Sequence, residues 1–253
     1  MSYRRWRQGL HEVAALEDVS AAVVDALDAT PSLHAWAAAR ADASRPGGRG
    51  VVHRATLGPR RVMIRHFHRG GWMAPLLGDR YLGRARRPFD ELAVSERLRA
   101  AGVRTPRVLA AVVTRTPPGY RADLATEWLE NGHDFEQLLR PNVWPAAERL
   151  AACTAAGATV GAAHRAGLDH PDLHVTNIFV QRDAAGSWTA ALLDLDRARL
   201  GDPLDAQGQK KNLARLARSL DKRRRAGRLT WGATEQAAFD SGYTRGLRDA
   251  LDA

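Results

Sequence analysis

Residues 170–177 read His-Pro-Asp-Leu-His-Val-Thr-Asn, and a later apolar run ends at residues 192–196 with Leu-Leu-Asp-Leu-Asp. These two segments supply Asp172, Asn177 and Asp194 in an order that suits phosphoryl transfer. That reaction needs a carboxylate to orient the acceptor hydroxyl and take its proton, and oxygen ligands to hold Mg²⁺ against the nucleotide phosphates. We therefore predict Asp172 as the base and Asn177 and Asp194 as metal ligands.

The elements around these residues should hold them on a rigid frame. Asn177 leads directly into the apolar residues 178–180, and Asp194 closes the next apolar run, with a turn at 184–187. This pattern predicts a β-hairpin with an amide and a carboxylate at its open end. A helix is predicted before it, over about 144–165. Each polar residue alone would be typical of a solvated loop, but their joint order favours a site.

Two upstream features match the parts that grip a nucleotide. The glycine-rich residues 46–50 precede a strand pair, so Gly48 and Gly50 are candidates for a lid over phosphates, although such stretches are more often flexible linkers. Residues 62–65 read Val-Met-Ile-Arg, which is similar to the Val-Ala-Ile-Lys strand of protein kinases with Arg65 in the lysine position. The alternative is an exposed strand arginine.

An acid that positions this cation should lie on the next helix, predicted from about 88 to 101. Glu91 and Glu96 both qualify. We prefer Glu91 because it lies one turn from the helix start, where an acid also suits the helix dipole.

Two further strands are predicted at 108–115 and 121–129, and the second ends in Glu127-Trp128-Leu129. This end is typical of a hinge between a small sheet domain and a helical domain. Backbone groups of Glu127 and Leu129 would contact an adenine there.

The order of these parts resembles the lipopolysaccharide core kinases of the protein-kinase-like fold, and within them the 3-deoxy-D-manno-octulosonic acid (Kdo) kinases. The resemblance covers about residues 47–220. The Arg-Gly-Gly and Asp-Arg-Tyr elements narrow the match, because they are not general kinase motifs. The segments that carry it are Gly48-Arg49-Gly50, Ile64-Arg65-His66-Phe67 with Arg69-Gly70-Gly71, Asp79-Arg80-Tyr81-Leu82, Tyr120-Arg121-Ala122-Asp123-Leu124 with Thr126-Glu127, His170 with Asp172-Leu173, Asn177-Ile178, Leu193-Asp194-Leu195-Asp196-Arg197, and Asn212-Leu213-Ala214-Arg215-Leu216.

The resemblance implies an α+β, protein-kinase-like fold with two lobes. A small antiparallel-sheet N-lobe is expected over 46–130 and a mainly helical C-lobe over 131–253. Residues 1–45 lie outside the resemblance. Their apolar positions from Val13 to Leu27 follow a helical period, so we predict an N-terminal helical extension that packs on the small lobe.

The resemblance also implies a function: ATP-dependent phosphorylation of a Kdo hydroxyl in the lipid A inner core, at the cytoplasmic face of the inner membrane. Asp172 would be the base, with Asn177 and Asp194 as Mg²⁺ ligands. Arg65 and Glu91 would position the phosphates. Pro171 and His174 differ from the residues usual in the family, and neither difference removes a required charge.

The charge balance favours an acidic partner. The chain carries 38 Lys and Arg against 28 Asp and Glu, a net charge of +10. Basic clusters at 84–87 and 222–225 lack the interleaved aromatics that stack single-stranded bases, so an anionic membrane surface or lipid A phosphates rank above nucleic acid. Each cluster alone is more often a solvated face.

Several classes of protein are disfavoured. One cysteine, Cys153, excludes an internal disulfide and fits a buried structural thiol, and the nine histidines show no zinc spacing. No apolar run approaches the ~20 residues of a membrane span, and the first residues do not resemble a signal peptide. We therefore expect a cytoplasmic protein that is peripheral to the membrane, in an oligomeric state left open.

Two alternatives to a Kdo kinase remain. The first keeps the chemistry but changes the acceptor, as in a heptose kinase of the same family or a small-molecule kinase resembling aminoglycoside phosphotransferases. The second is a non-catalytic pseudokinase that binds lipid A. Retention of Asp172, Asn177 and Asp194 together argues against the second, because a scaffold needs none of them.

Overall fold

The structure, a computed structural model, describes residues 2–40, 43–47, 50–67, 81 and 86–249. The chain forms two compact units. The first consists of Met1–Ala93 and Arg107–Trp128, and the second of Val94–Pro106 and Leu129–Ala253.

The first unit is built on an antiparallel sheet of seven strands in the order β1-β2-β6-β7-β5-β4-β3. Glycines or prolines lie in most of the connecting turns, and Gly58 adopts a φ of 57° in the turn between β4 and β5. The strands are β1 (Tyr3–Gln8), β2 (His11–Leu16), β3 (Ala43–Gly47), β4 (Gly50–Leu57), β5 (Arg60–His66), β6 (Val108–Thr116) and β7 (Gly119–Glu127).

The N-terminal segment corrects our prediction for residues 1–45. Residues 3–16 are not helical but form a hairpin, and β2 pairs with both β1 and β6. Val13 and Leu16 pack with one core cluster, whereas Ala14 packs with another. Because β2 is buried on both faces, it lacks the alternation of apolar and polar residues that identifies a half-buried strand. Its apolar residues were therefore assigned to the helical period of the segment that follows.

Helices complete this unit. Helix α1 (Glu17–Ala29) buries Val19, Val23 and Leu27 against the same core as Val62 and Ile64 of the sheet. The predicted helical character is thus present from residue 17 onward, in α1 and in α2 (Leu33–Arg40). Helix α3 (Arg87–Ala100) matches its predicted range. Its residues up to Ala93 belong to this unit, and Leu92 packs in the other core cluster of the unit.

The second unit is mainly helical. Helix α5 (Ala146–Arg165) is rich in alanine and glycine and packs closely against α7 (Ala233–Arg248). A Cβ on Gly157 would lie 2.0 Å from the carbonyl oxygen of Phe239, so the backbones can meet only where side chains are absent. The buried length of α5 explains why its sequence is apolar on all sides.

The predicted hairpin of this unit is present. Strand β10 (Ile178–Arg182) pairs with β11 (Trp188–Leu192), and β8 (Gly132–Asp134) adds a third strand. Strand β9 (Leu168–Asp169) precedes the hairpin in the chain and β12 (Arg199–Leu200) follows it, and these two short strands pair with each other. Two more helices belong here, α4 (Phe135–Leu138) and α6 (Ala206–Arg225).

The structure bears on two sequence expectations, the burial of Cys153 and the lack of a membrane-spanning helix. Cys153 is fully buried in α5, and burial raises the pKa of its thiol to about 12, so the thiolate is strongly disfavoured. Among the helices that the structure describes, none combines the length and the apolar character that a bilayer crossing requires.

Candidate active site

The loop between β9 and β10 carries Asp172 with its side chain exposed and its backbone fixed. The carboxylate is 67% exposed. The backbone carbonyl of Asp172 accepts a hydrogen bond of 3.0 Å from Nδ2 of Asn177, and its N–H donates to Nδ1 of His170 at 3.3 Å. A carboxylate that faces solvent on an anchored backbone can accept a proton from a bound hydroxyl without rearrangement of the loop.

His170 connects the two ends of this site. It is 1% exposed, and its Nε2 donates to the carbonyl of Leu193 at 3.1 Å while Nδ1 accepts from Asp172. This pattern requires a neutral imidazole with its proton on Nε2. Burial lowers the pKa of His170 and thereby favours that neutral form. The loop of Asp172 and the strand end before Asp194 are therefore joined through one ring.

Asn177 and Asp194 lie at the open end of the β10–β11 hairpin, as predicted. The N–H of Leu193 donates to the carbonyl of Asn177 at 2.9 Å, and Ile178 pairs with Leu192 in the register. Asn177 is 8% exposed, whereas Asp194 is exposed. Asp194 adopts a left-handed backbone with φ of 53°, a conformation that Asp and Asn tolerate better than most residues.

The donor set at this end suits a hard cation. Nδ2 of Asn177 is used in the hydrogen bond to Asp172, which leaves the amide oxygen Oδ1 as the atom of this side chain that suits a cation. Asp194 adds a carboxylate. Within the described ranges, no three His, Cys, Asp or Glu side chains converge as a metal site. Mg²⁺ in nucleotide enzymes commonly uses one or two carboxylates and the substrate's phosphates rather than a full protein cage, so the residues present fit such an ion.

His174 lies beside the candidate base. Its Nε2 is 3.6 Å from a carboxylate oxygen of Asp172, and its Nδ1 is 2.9 Å from the hydroxyl of Thr176. A protonated His174 would place a positive charge next to Asp172. The departure from the family pattern at position 174 is thus adjacent to the proposed chemistry.

Side chains of helix α6 hold the loop that carries Asp172 by hydrogen bonds to its backbone. No role in the site was predicted for these side chains from the sequence. Asn212 is fully buried, and its Oδ1 accepts from the N–H of His170 at 3.0 Å. Arg215 donates to the carbonyl of His170 at 3.3 Å, and the hydroxyl of Ser219 accepts from the N–H of Val175 at 3.0 Å. The three side chains recur at helical spacing, which was the signal available in the sequence.

Asp169 is part of the same support. Its carboxylate accepts from Nδ2 of Asn212 at 3.1 Å and from Arg215 at 3.2 Å. The amide of Asn212 therefore bridges a carboxylate and the backbone of His170. Such a fully hydrogen-bonded buried group specifies one loop conformation.

The first unit contains the predicted cation and acid. Arg65 on β5 forms an ion pair with Glu91 on α3, and Glu91 is 6% exposed. The guanidinium of Arg65 also lies 4.4 Å from the ring centre of Phe67. The aromatic face and the buried carboxylate hold the planar fork in one orientation, which suits bidentate contact with phosphate.

Four further residues were predicted to contact the nucleotide: Gly48, Gly50, Glu127 and Leu129. Gly50 begins β4 opposite Gly47, while Gly48 lies outside the described residues. The N–H of Glu127 donates to the carbonyl of Arg107 at 2.8 Å, so that N–H is already used within the sheet. Leu129 begins the chain segment Leu129–Ala253 of the second unit, and it is half-buried.

Part of the sequence resemblance lies outside the described residues. This holds for the Arg-Gly-Gly element at 69–71, for Asp79-Arg80 and for Leu82. Residues 84 and 85 of the basic cluster, which is not part of the resemblance, also lie outside the described residues.

Comparisons with known proteins find relatives of this chain over most of its length. A 3-deoxy-D-manno-octulosonic acid kinase from Vibrio vulnificus (strain YJ016) is 31% identical over 214 residues, covering 82% of this chain and 85% of the relative. A protein of the same name from Xanthomonas oryzae pv. oryzae (strain PXO99A) is 40% identical over 194 residues and covers 72% of each chain.

A solved structure, WaaP in complex with acyl carrier protein, matches with a TM-score of 0.56 at 23% identity, over 85% of this chain and 83% of that one. This likeness establishes the α+β, kinase-like fold. The model of the lipopolysaccharide kinase (Kdo/WaaP) family matches residues 34–243. With most of its length matched by that model and by relatives at 31% and 40% identity, this chain belongs to the lipopolysaccharide kinase (Kdo/WaaP) family.

Proposed function

We propose that the protein transfers the γ-phosphoryl group of ATP to a hydroxyl of Kdo in a Kdo-bearing lipid A precursor. The observation that supports this most directly is the exposed carboxylate of Asp172 on a loop fixed through His170 and Asn177. The names of the relatives from Vibrio and Xanthomonas support Kdo as the acceptor sugar.

Asp172 acts as the base in this proposal. Its carboxylate accepts a hydrogen bond from the acceptor hydroxyl, orients that oxygen towards the γ-phosphorus and takes its proton as the new P–O bond forms. Little covalent chemistry is required of the protein beyond this, so most of the acceleration comes from positioning and charge stabilisation. The anchored backbone of Asp172 meets that demand.

Asn177 and Asp194 would hold Mg²⁺ through Oδ1 and a carboxylate oxygen. When bound, the ion would supply positive charge that offsets the negative charge developing during transfer. The hairpin fixes both residues through the 2.9 Å bond between the N–H of Leu193 and the carbonyl of Asn177.

Arg65 binds ATP phosphates, and Glu91 orients it. The ion pair with the nearly buried Glu91 and the contact with Phe67 orient Arg65, whose side chain is 23% exposed. Gly48 and Gly50 form the lid, and Glu127 and Leu129 contact the adenine through the backbone. Because the N–H of Glu127 is used by Arg107, its carbonyl is the group that it offers.

A lipid-borne acceptor places the reaction at a membrane surface. ATP is available on the cytoplasmic face of the inner membrane, so we propose peripheral attachment there. The net charge of +10 favours an anionic surface over a neutral one.

The test is transfer of label from γ-labelled ATP to a panel of acceptors: Kdo-bearing lipid A precursor, heptose-bearing precursor, and lipid A without either sugar. We expect label in the Kdo-bearing precursor only, and loss of that label in Asp172→Ala with ATP binding retained. Label on heptose instead would reassign the acceptor. Nucleotide binding without transfer to any acceptor would support a non-catalytic role and overturn the proposal.

A further inference from the structure

Helix α6 carries a row of exposed cations on its outer surface. Lys211, Arg218, Lys222 and Arg225 follow one another at intervals of seven, four and three residues, and all four are exposed. At 100° per residue these positions fall within an arc of about 60° along roughly 21 Å of helix. We call these four residues the α6 basic stripe.

The α6 basic stripe differs in its partners from three arginines of the same helix, Arg215, Arg223 and Arg224. Arg215 pairs with Asp169, Arg223 with Glu136, and Arg224 with Asp221. Within the part of the chain that the structure describes, the four stripe residues form no ion pair. Asp221, the acidic neighbour of the stripe, is compensated by Arg224. The stripe therefore keeps four positive charges available to an external partner.

The choice of residues supports a surface function. Lysine is rare in this chain, and its three lysines, Lys210, Lys211 and Lys222, all lie on α6. An arginine fork suits fixed pairing with one carboxylate or phosphate, whereas a lysine ammonium is a hydrated point charge on a flexible stem. The two lysines of the stripe, Lys211 and Lys222, fit a partner whose negative charges are many and movable.

We infer that the α6 basic stripe docks the protein on an anionic phospholipid bilayer. A straight row on a convex helix matches a plane of headgroups better than it matches a single small anion, which needs convergent groups in a concave site. The apolar residues of α6 point the other way: Leu216 and Leu220 are buried. Attachment is therefore electrostatic, without insertion of side chains into the hydrocarbon.

Docking through α6 would orient the loop that carries Asp172 relative to the membrane. This part of the inference rests on the proposed function. Asn212, which holds the backbone of His170, lies about a third of a turn round α6 from the centre of the stripe. A single rigid helix would thus fix the orientation of the catalytic loop relative to the membrane plane. That arrangement suits an acceptor sugar attached to a lipid.

The experiment measures sedimentation of the full chain with vesicles that contain no Kdo lipid. One set is phosphatidylcholine alone and the other contains phosphatidylglycerol. The stripe variant is Arg218→Gln with Lys222→Gln. The matched control is Arg245→Gln with Arg248→Gln, which removes the same charge from exposed residues at the end of α7. Circular dichroism and thermal melting verify that both variants fold.

We expect salt-sensitive binding to the phosphatidylglycerol vesicles and little binding to phosphatidylcholine. The stripe variant should bind roughly thirty-fold more weakly, since each cation near such a surface contributes a factor of about five. The control should lose much less. Equal losses in the two variants would mean that only net charge matters and would overturn the inference. So would a stripe-dependent affinity for duplex DNA that exceeds the affinity for vesicles.

A second measurement separates this inference from the proposed function. Transfer to a Kdo-bearing precursor is assayed in detergent and in phosphatidylglycerol vesicles. The stripe variant should match the wild type in detergent and fall behind it on vesicles. Stripe-dependent vesicle binding without transfer in either medium would refute the proposed function and leave the docking surface intact. Transfer on vesicles that is unaffected by the stripe variant would refute the docking role.

Discussion

Nδ2 of Asn177 donates to the backbone carbonyl of Asp172 at 3.0 Å, so the side chain proposed to bind the metal also fixes the loop of the proposed base. Asn177 is buried and Asp172 is exposed, which makes the first a support for the second. The two functions proposed for Asn177 would use different atoms, Oδ1 for the metal and Nδ2 for the loop. They can therefore be separated by substitution.

The substitution Asn177→Asp keeps an oxygen for the metal but removes the donor to Asp172. A carboxylate oxygen would then face the carbonyl of Asp172, and the loop should shift. We expect kcat to fall by about 10²-fold, the size of effect that a small misplacement of catalytic groups produces. Binding of Mg-ATP, measured by calorimetry, should be retained.

The control for this variant is Asn142→Asp, an exposed asparagine outside the site. It should leave both kcat and binding unchanged. If Asn177→Asp were as active as the wild type, the bond to Asp172 would have no role in positioning the base.

Asp194→Asn tests the metal assignment. Asparagine tolerates the left-handed backbone at this position, with its φ of 53°, so the fold should persist while one negative charge is lost. We expect the affinity for ATP in the presence of Mg²⁺ to fall, with little change in its absence. Equilibrium titration with a fluorescent ATP analogue at several Mg²⁺ concentrations measures both.

Asp202→Asn is the matched change at an exposed position on the same stretch of chain. Equal Mg²⁺ dependence in Asp194→Asn and in the wild type would contradict the assignment of Asp194 as a ligand.

The hairpin that carries Asn177 and Asp194 was predictable because it is local in sequence. Asn177 and Asp194 flank two short apolar runs joined by a turn, and such a pattern has one simple solution, a hairpin that brings its ends together. The support from Asn212 was not predictable in the same way. It contacts His170 across 42 residues, and no local pattern encodes which loop a buried amide on a helix will meet.

The N-terminal hairpin shows a second limit. Strand β2 gains its stability from pairing with β6, whose residues lie about a hundred positions away, as in the pair His11 and Thr114. Local periodicity cannot report such a partner, because a strand buried on both faces and a buried helix can show the same apolar run. Where α1 buries one face only, the helical period was informative.

Arg65→Lys tests whether the phosphate contact needs the planar fork. A lysine keeps the charge beside Glu91 but loses bidentate geometry and the stacking on Phe67. We expect KM for ATP to rise about tenfold, the effect of losing roughly 1.4 kcal/mol of binding, with a smaller change in kcat.

Arg60→Lys is the control for this change. Arg60 is also on β5 and pairs with Asp18, but on an exposed part of the surface. If both variants raised KM alike, the effect would come from the strand rather than from contact with phosphate.

Asn212→Leu tests the support of the catalytic loop from α6. Leucine has a similar volume but leaves the N–H of His170 and the carboxylate of Asp169 without this partner. We expect a loss of about 1–3 kcal/mol in the free energy of unfolding, since a buried donor is left unsatisfied. At temperatures where the variant is folded, kcat should fall while the affinity for ATP is retained.

Gln207→Leu provides the comparison, since Gln207 lies on the same helix and is exposed. A variant Asn212→Leu with reduced stability but normal kcat would show that Asn212 stabilises the unit without positioning the loop.

His164 gives the second unit a stability that depends on pH. It is 2% exposed in α5, its Nδ1 lies 2.8 Å from the hydroxyl of Tyr243, and burial lowers its pKa to about 4. The unfolded chain binds a proton near pH 6.5, well before the folded chain does. Stability is therefore complete above that pH and is lost as the pH falls towards 4.

At pH 5 this single group should cost about 2 kcal/mol of unfolding free energy relative to pH 7. Urea unfolding at the two pH values measures the difference, which His164→Gln should reduce by that amount. Gln207→Leu, at an exposed residue of the same unit that does not titrate, should leave the difference unchanged. If the wild type and His164→Gln lost equal stability between pH 7 and pH 5, the proton uptake on unfolding would belong to other groups, and the neutral His164 would have no part in the acid sensitivity of this unit.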